Sequence, residues 1–414
     1  MATATTGTVP SLLDTVPKGL VYGAFCVVIV VQLLNIFTFN WHPELRLPLS
    51  AMLAAIHLVL AAVTLLMRRA QWAMLLLLSA TINIAVILPP HMLGLGGMHG
   101  LDMTELSRRL VLPLMMIWML GFPLALPVRL LRGAAVFGTL YAGFIVLTEP
   151  QFVYNPNDGY LRFASLTGGF DQVHLSAKFV ALQIVLLDLL RRGKLMSPLV
   201  TWAMIGICVV LMDGYGARAQ LLFVAIYLLY LAYCKYRSEF VVRWLPFLGL
   251  VLTITVAVVA LQVGTDVSQW GSGRIGTWHY RILLIADRDL ITLLFGSGVG
   301  ADNMWTPQWG WGDDTLISHN DYLYFLTDHG IIGLLIPATF LYGLWIRLGD
   351  YGRAIVMAIM ISSIVDNGYF RTPMLAGWLA IVLSTSLLVS LLKGDVPAPN
   401  RKPANAQRRE MPAT

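Results

Sequence analysis

The chain carries twelve mostly apolar runs of roughly 17–21 residues, the length a helix needs to cross a hydrocarbon core about 30 Å thick. They lie near 19–39, 48–66, 71–88, 110–127, 132–148, 176–190, 197–213, 219–234, 244–262, 330–346, 353–369 and 374–392. Backbone inside lipid must satisfy its own N–H and C=O groups, so runs of this length predict helices. The expected fold is an all-α polytopic membrane protein of about 12 transmembrane helices, with one transmembrane domain over 1–392. A long loop at 263–329 separates spans 9 and 10 and is expected to carry amphipathic helices. The tail at 393–414, rich in Pro, Asn, Arg and Gln, is expected to be disordered and cytoplasmic. A chain that is 57% hydrophobic and only 12% charged, with a mean hydropathy of +0.73, agrees with this class.

The first run, after Lys18, is span-length and lacks a basic stretch before it, so it is expected to stay as a helix rather than act as a cleaved signal. Cys26, Cys208 and Cys234 fall inside apolar runs, where they read as small hydrophobes without disulfide or metal spacing. The net charge of +6 does not indicate a nucleic-acid partner, because most basic residues end apolar runs. With a cytoplasmic N-terminus, eighteen of the 28 Lys and Arg residues fall on the cytoplasmic side, which also places the C-terminus there.

Seven of the remaining cations come from four outer segments: Arg162 and Lys178, then Arg218, then Arg274, Arg281 and Arg288, then Arg371. Pairing with Asp158, Asp171, Asp213, Asp287, Asp289 or Asp366 is one account of them. Their convergence from four segments favours a shared anionic ligand, and guanidinium forks suit phosphate. Read as one helix, Arg274, Trp278, Arg281 and Arg288 fall within a sector of ~80°, with Ile275, Ile282, Leu283 and Leu290 on another face. Such a helix would lie flat at the membrane surface. The segment Phe295-Gly296-Ser297-Gly298-Val299-Gly300 has no preceding strand, so it reads as a packing turn rather than a dinucleotide loop. Trp305, Trp309 and Trp311 suit an interfacial anchor or a sugar-stacking surface, and Asp313-Asp314 lacks a third ligand for a metal. His319, in His319-Asn320-Asp321 at the wet end of a span, can take a proton from a hydroxyl. His174 opens a span beside the glycine-rich loop at 149–175 and could face the same cavity as Arg162, Asp171 and Lys178.

Four blocks carry a family resemblance. They are Arg162 with Gly168-Gly169-Phe170, the turn Gly216-Ala217-Arg218, the block Gly273-Arg274-Ile275 with Trp278 and Phe295–Gly300, and His319-Asn320-Asp321-Tyr322-Leu323 with Gly330 and Gly333. In order and spacing they resemble the bacterial O-antigen ligase and polysaccharide polymerase superfamily. That family commonly has a glutamate where Asp328 stands and a serine where Ala217 stands.

The resemblance implies a multi-pass inner-membrane glycosyltransferase with its site in the periplasmic loop. The donor would be a glycan on undecaprenyl pyrophosphate. The acceptor would be lipid A–core for a ligase, or a second lipid-linked glycan for a polymerase. His319 would be the general base, and Arg218, Arg274 and Arg281 would bind the pyrophosphate. Arg162, His174, Lys178, Trp278, Arg288, Asp321 and Arg371 would contact donor or acceptor. Arginines that neutralise the leaving group make a metal or other cofactor unnecessary. The competing reading is a flippase for lipid-linked glycans or another secondary transporter, which should place charges near the bilayer midplane.

Overall fold

The computed structural model describes residues 18–38, 46–67, 70–92, 103–148, 153–155, 160–163, 173–216, 218–236, 274–298, 300–304, 318–366 and 373–395. Among the described residues, eight α-helices precede the long loop: α1 Lys18–Thr38, α2 Arg46–Met67, α3 Gln71–Met92, α4 Met103–Gly121, α5 Val128–Thr148, α6 Val173–Arg192, α7 Pro198–Gly214 and α8 Arg218–Lys235. The loop supplies α9 Arg274–Ala286 and the short α10 Leu290–Phe295. After it come α11 Asp321–Gly333, α12 Leu335–Arg347, α13 Asp350–Val365 and α14 Pro373–Lys393. An antiparallel pair, β1 Val153–Asn155 and β2 Tyr160–Arg162, sits between α5 and α6 with Val153 opposite Arg162. The ninth expected span, 244–262, lies outside the described residues.

Among the described residues, Val128–Thr148 and Leu375–Lys393 are long and apolar enough to cross a membrane by length and composition. The bent pair α11–α12 is a third candidate, and six further apolar helical stretches are 10–17 residues long. The outer surface is apolar: Leu66, Leu147 and Leu199 are 82%, 81% and 81% exposed. So many exposed leucines on helix faces suit lipid rather than water.

The centre of the bundle is built by α6 and α14, which pack together. Residues 177–187 of α6 and 375–387 of α14 are buried on every face, as expected of a helix apolar all round. Two polar contacts tie helices together inside the bundle: Trp118 Nε1 donates to His57 Nδ1 at 3.0 Å, and Ser79 Oγ donates to Ile336 O at 3.0 Å. Basic ends cluster together. Arg347 donates to Leu120 O at the end of α4, and Arg192 and Lys393 both lie over the Tyr351 ring. Asp188, on the last turn of α6, takes Arg191 and Arg192 at 2.6 Å each.

Two expectations are revised. The span expected at 330–346 is not one straight helix. It begins at Asp321, capped by Asn320, breaks at Gly330 and turns by 91° into α12. Gly330 has φ 65°, and a Cβ there would collide with the backbone of Leu294. The break is therefore where α10 presses backbone against backbone on α11. The second revision concerns the arginine row. The helix from Arg274 stops at Ala286, and Asp289 caps a new helix by accepting from Thr292 N at 2.9 Å. Arg288 falls in the turn between them, off the expected face.

Candidate functional site

At the end of the bundle opposite the basic cluster, five segments meet. His174 and Lys178 occupy the first two turns of α6. Lys178 Nζ lies 3.1 Å from Asp366 Oδ2, with both side chains buried, and Gln220 Nε2 of α8 donates to the same oxygen at 2.5 Å. Asp366 ends α13. One turn earlier, Ser363 Oγ donates to Asp321 Oδ2 at 3.0 Å, and Asp321 opens α11. Just before it stands His319, whose ring centre is 6.3 Å from that of His174. Two half-buried imidazoles thus sit over a buried layer of Lys178, Asp366, Asp321, Ser363 and Gln220.

His319 is held in an uncommon conformation, φ 50°, ahead of the Asn320 cap. The neighbour on its other side is pinned. Ser318 N donates to Asp302 Oδ2 at 2.8 Å. Ser318 Oγ lies 2.9 Å from the same oxygen and 3.0 Å from Asn320 O, and its one proton serves one of them at a time. Trp278 Nε1 donates to Ser318 O at 2.6 Å. Asp302 itself is gripped by Arg281, whose Nε is 2.8 Å from Oδ1 and whose NH2 donates to the Asp302 carbonyl at 2.7 Å. Both side chains are 0% exposed. Burial pushes the Asp302 carboxyl above the usual carboxylate range, while Arg281 and Ser318 hold it back.

The glycine turn and α11 lock this framework together. Gly296, with φ 82°, has no room for a Cβ against Asp328 O and His329 N. Ser297 N donates to Thr327 O and Gly298 N to Asp328 O, so the turn reads onto α11 like a short ladder. Asp328, fully buried, accepts from Gly300 N at 3.0 Å and Asp302 N at 2.8 Å. The break at Gly330 frees helix carbonyls, and Arg288 takes Leu326 O at 3.2 Å and Thr327 O at 3.1 Å. The turn packs as the sequence predicts, but on the broken helix α11.

The expected arginines divide into groups. Arg218 is the first residue of α8, two positions before Gln220, and Arg274 is the first residue of α9, one turn before Trp278. Their backbones therefore border the same region. Arg162 ends β2, and the next residue fastens that hairpin to the α7–α8 turn: Phe163 N donates to Gly214 O at 2.9 Å and its ring meets Tyr215 edge-on at 6.1 Å. Arg281, expected at the pyrophosphate, is buried against Asp302, and Arg288 caps α11. For Lys178, pairing with Asp366 is what the structure gives. Arg371, Gly168–Asp171, Trp305, Trp309, Trp311, Asp313 and Asp314 lie outside the described residues.

Asp302, Gln220 and Ser363 were not singled out from sequence. Their partners lie 21, 146 and 42 residues away, and no local spacing announces them. No family model and no curated protein matches the chain. Among the described residues, no group of three or more His, Cys, Asp or Glu gathers to hold a metal ion.

Proposed function

We propose that the chain is a multi-pass glycosyltransferase of a bacterial inner membrane, with about twelve spans, cytoplasmic termini and a periplasmic site. It moves a glycan from undecaprenyl pyrophosphate to an acceptor hydroxyl, as O-antigen ligases and polysaccharide polymerases do. The acceptor is lipid A–core or a second lipid-linked glycan. The observation that carries this reading is His319, held at φ 50° beside His174 at the meeting of α6, α8, α9, α11 and α13.

In the proposed reaction the acceptor oxygen attacks the anomeric carbon. The bond from that carbon to the pyrophosphate oxygen breaks, and its electron pair leaves with the phosphate. His319 takes the acceptor proton. A single displacement inverts the anomeric centre. Arg218 and Arg274, heading α8 and α9 at the border of the site, neutralise the departing diphosphate. Arg281 acts one step back, holding Asp302 and through it the backbone beside His319. A carrier reading is less well supported. The charged side chains buried in the described spans, Lys178, Asp188, Asp321, Asp328 and Asp366, lie near helix ends or at the α11 break.

The test supplies purified protein with lipid-pyrophosphate glycan and each acceptor separately, in the presence of a chelator. Transfer to one acceptor with inverted linkage is expected, undiminished by the chelator. Donor movement across a vesicle membrane without any glycosidic product would replace this reading with the carrier.

A further inference from the structure

The basic end of the bundle carries a second feature. A cavity of about 350 Å³ opens between the first turns of α5, the end of α6 and the turn into α7. That volume falls within the range of roughly 300–1,000 Å³ common for small-molecule sites. Arg132, Arg191 and Lys194 line it together with Leu195, Met196, Ser197 and Pro198, and no acid is among the lining residues. Arg191 shares its charge with Asp188 behind it, whereas Arg132 and Lys194 are exposed. Ser197 and Pro198 begin α7, a helix of 17 residues, so the positive end of its dipole faces the same space.

The rim differs from the floor. Leu199 and Trp202, on the outer face of α7, are 81% and 56% exposed, and the Arg191 guanidinium stacks 4.9 Å over the Trp202 ring. A tryptophan between a guanidinium and exposed leucine marks a membrane–water boundary. The cavity therefore joins a cationic floor in the headgroup zone to an apolar wall that runs into the bilayer. The 20 residues of α6 separate it from His174 by roughly 30 Å, so it is distinct from the site above.

We propose that this cavity binds the phosphate of an anionic lipid of the same leaflet, with acyl chains along Leu199 and Trp202. A free anion would gain nothing from the apolar wall, and a zwitterionic lipid would bring its own cation to three others. This inference rests on the membrane-spanning reading and is independent of glycosyl transfer.

The test uses the full chain purified in neutral detergent, with native mass spectrometry or titration reading lipid affinity. The probes are phosphatidylglycerol, phosphatidylcholine and inorganic phosphate. Phosphatidylglycerol should bind in preference to phosphatidylcholine. Arg132→Gln and Lys194→Asn should each weaken it about fivefold, and the pair roughly 25-fold, from about 1 kcal/mol per interfacial cation. Asn suits position 194, where φ is 55°. Arg129→Gln removes an equal charge from an exposed residue of the same helix outside the cavity and should leave affinity unchanged. Three results would each overturn the proposal: equal binding of phosphatidylcholine, an Arg129→Gln loss as large as the Arg132→Gln loss, or inorganic phosphate displacing the lipid at matched concentration. Circular dichroism and elution volume confirm that each variant is folded.

Discussion

Replacing Asp302 by Ala removes the carboxylate that Arg281 Nε holds at 2.8 Å, in a pair whose side chains are both 0% exposed. Breaking such a buried pair from one side costs about 3–5 kcal/mol, because a buried guanidinium loses the charge it was paired with. The bonds from Ser318 N and Oγ go as well, about 1 kcal/mol each, which moves the estimate to the upper part of that range. Replacing both partners, as Arg281→Met with Asp302→Leu, removes the stranded charge and should recover most of the loss. The double variant still lacks the acceptor that holds Ser318 beside His319. It should therefore regain thermal stability without regaining transfer activity. Heating followed by size-exclusion chromatography reads the first quantity, and glycan transfer from a lipid-pyrophosphate donor reads the second. An Asp302→Ala protein as stable and active as the parent would refute the reasoning. So would a double variant in which stability and activity return together, since Asp302 would then act only as a structural strut.

Other perturbations separate further parts of the architecture. Gly300→Ala should cost about 1–2 kcal/mol for its left-handed backbone alone, since nothing lies within 4 Å of an added Cβ. Gly330→Ala should cost clearly more and lower the melting temperature further, because its Cβ meets Leu294 and Gly296 backbone. Lys178→Met removes the buried cation 3.1 Å from Asp366 and should destabilise by about 3–5 kcal/mol, while Lys178→Met with Asp366→Leu should be milder in the same thermal assay. The Asp289 carboxyl is held below its usual range by Thr292, so its stabilising effect is present above the unfolded carboxylate pKa. That effect is lost as pH falls through the lowered folded value, and hydrogen exchange at Thr292 N should show the cap loosening only in strong acid.

Hydropathy carried most of the fold. Runs expected at 48–66, 197–213 and 374–392 became helices at Arg46–Met67, Pro198–Gly214 and Pro373–Lys393, because length and apolarity suffice where lipid is the solvent. The short β pair lies inside the segment 149–175 that reads as loop, although Asn155, Pro156, Asn157, Asp158 and Gly159 between Val153-Tyr154 and Tyr160-Leu161 form a turn signal of ordinary strength. The end of α9 was also legible in principle: Asp289 just ahead of Leu290-Ile291 is a preferred N-cap residue that favours a new helix start there. The 91° bend was not, because it depends on Gly296 and Gly330 meeting across 34 residues. Site residues followed the same division. His319, Asp321 and Trp278 were visible as polar or aromatic residues outside apolar runs. The partner that consumes Arg281 was not, because a lone aspartate in a loop gives no sign of which cation it will meet.

Single-turnover transfer by the parent and by His319→Ala, with donor binding measured on the same samples, isolates the proton-accepting imidazole from the phosphate contacts. Donor affinity should be retained while the rate of glycosidic bond formation falls by about 10²–10⁴-fold. A His319→Ala protein that forms the bond at the parental rate would show that the imidazole beside His174 takes no part in the chemistry.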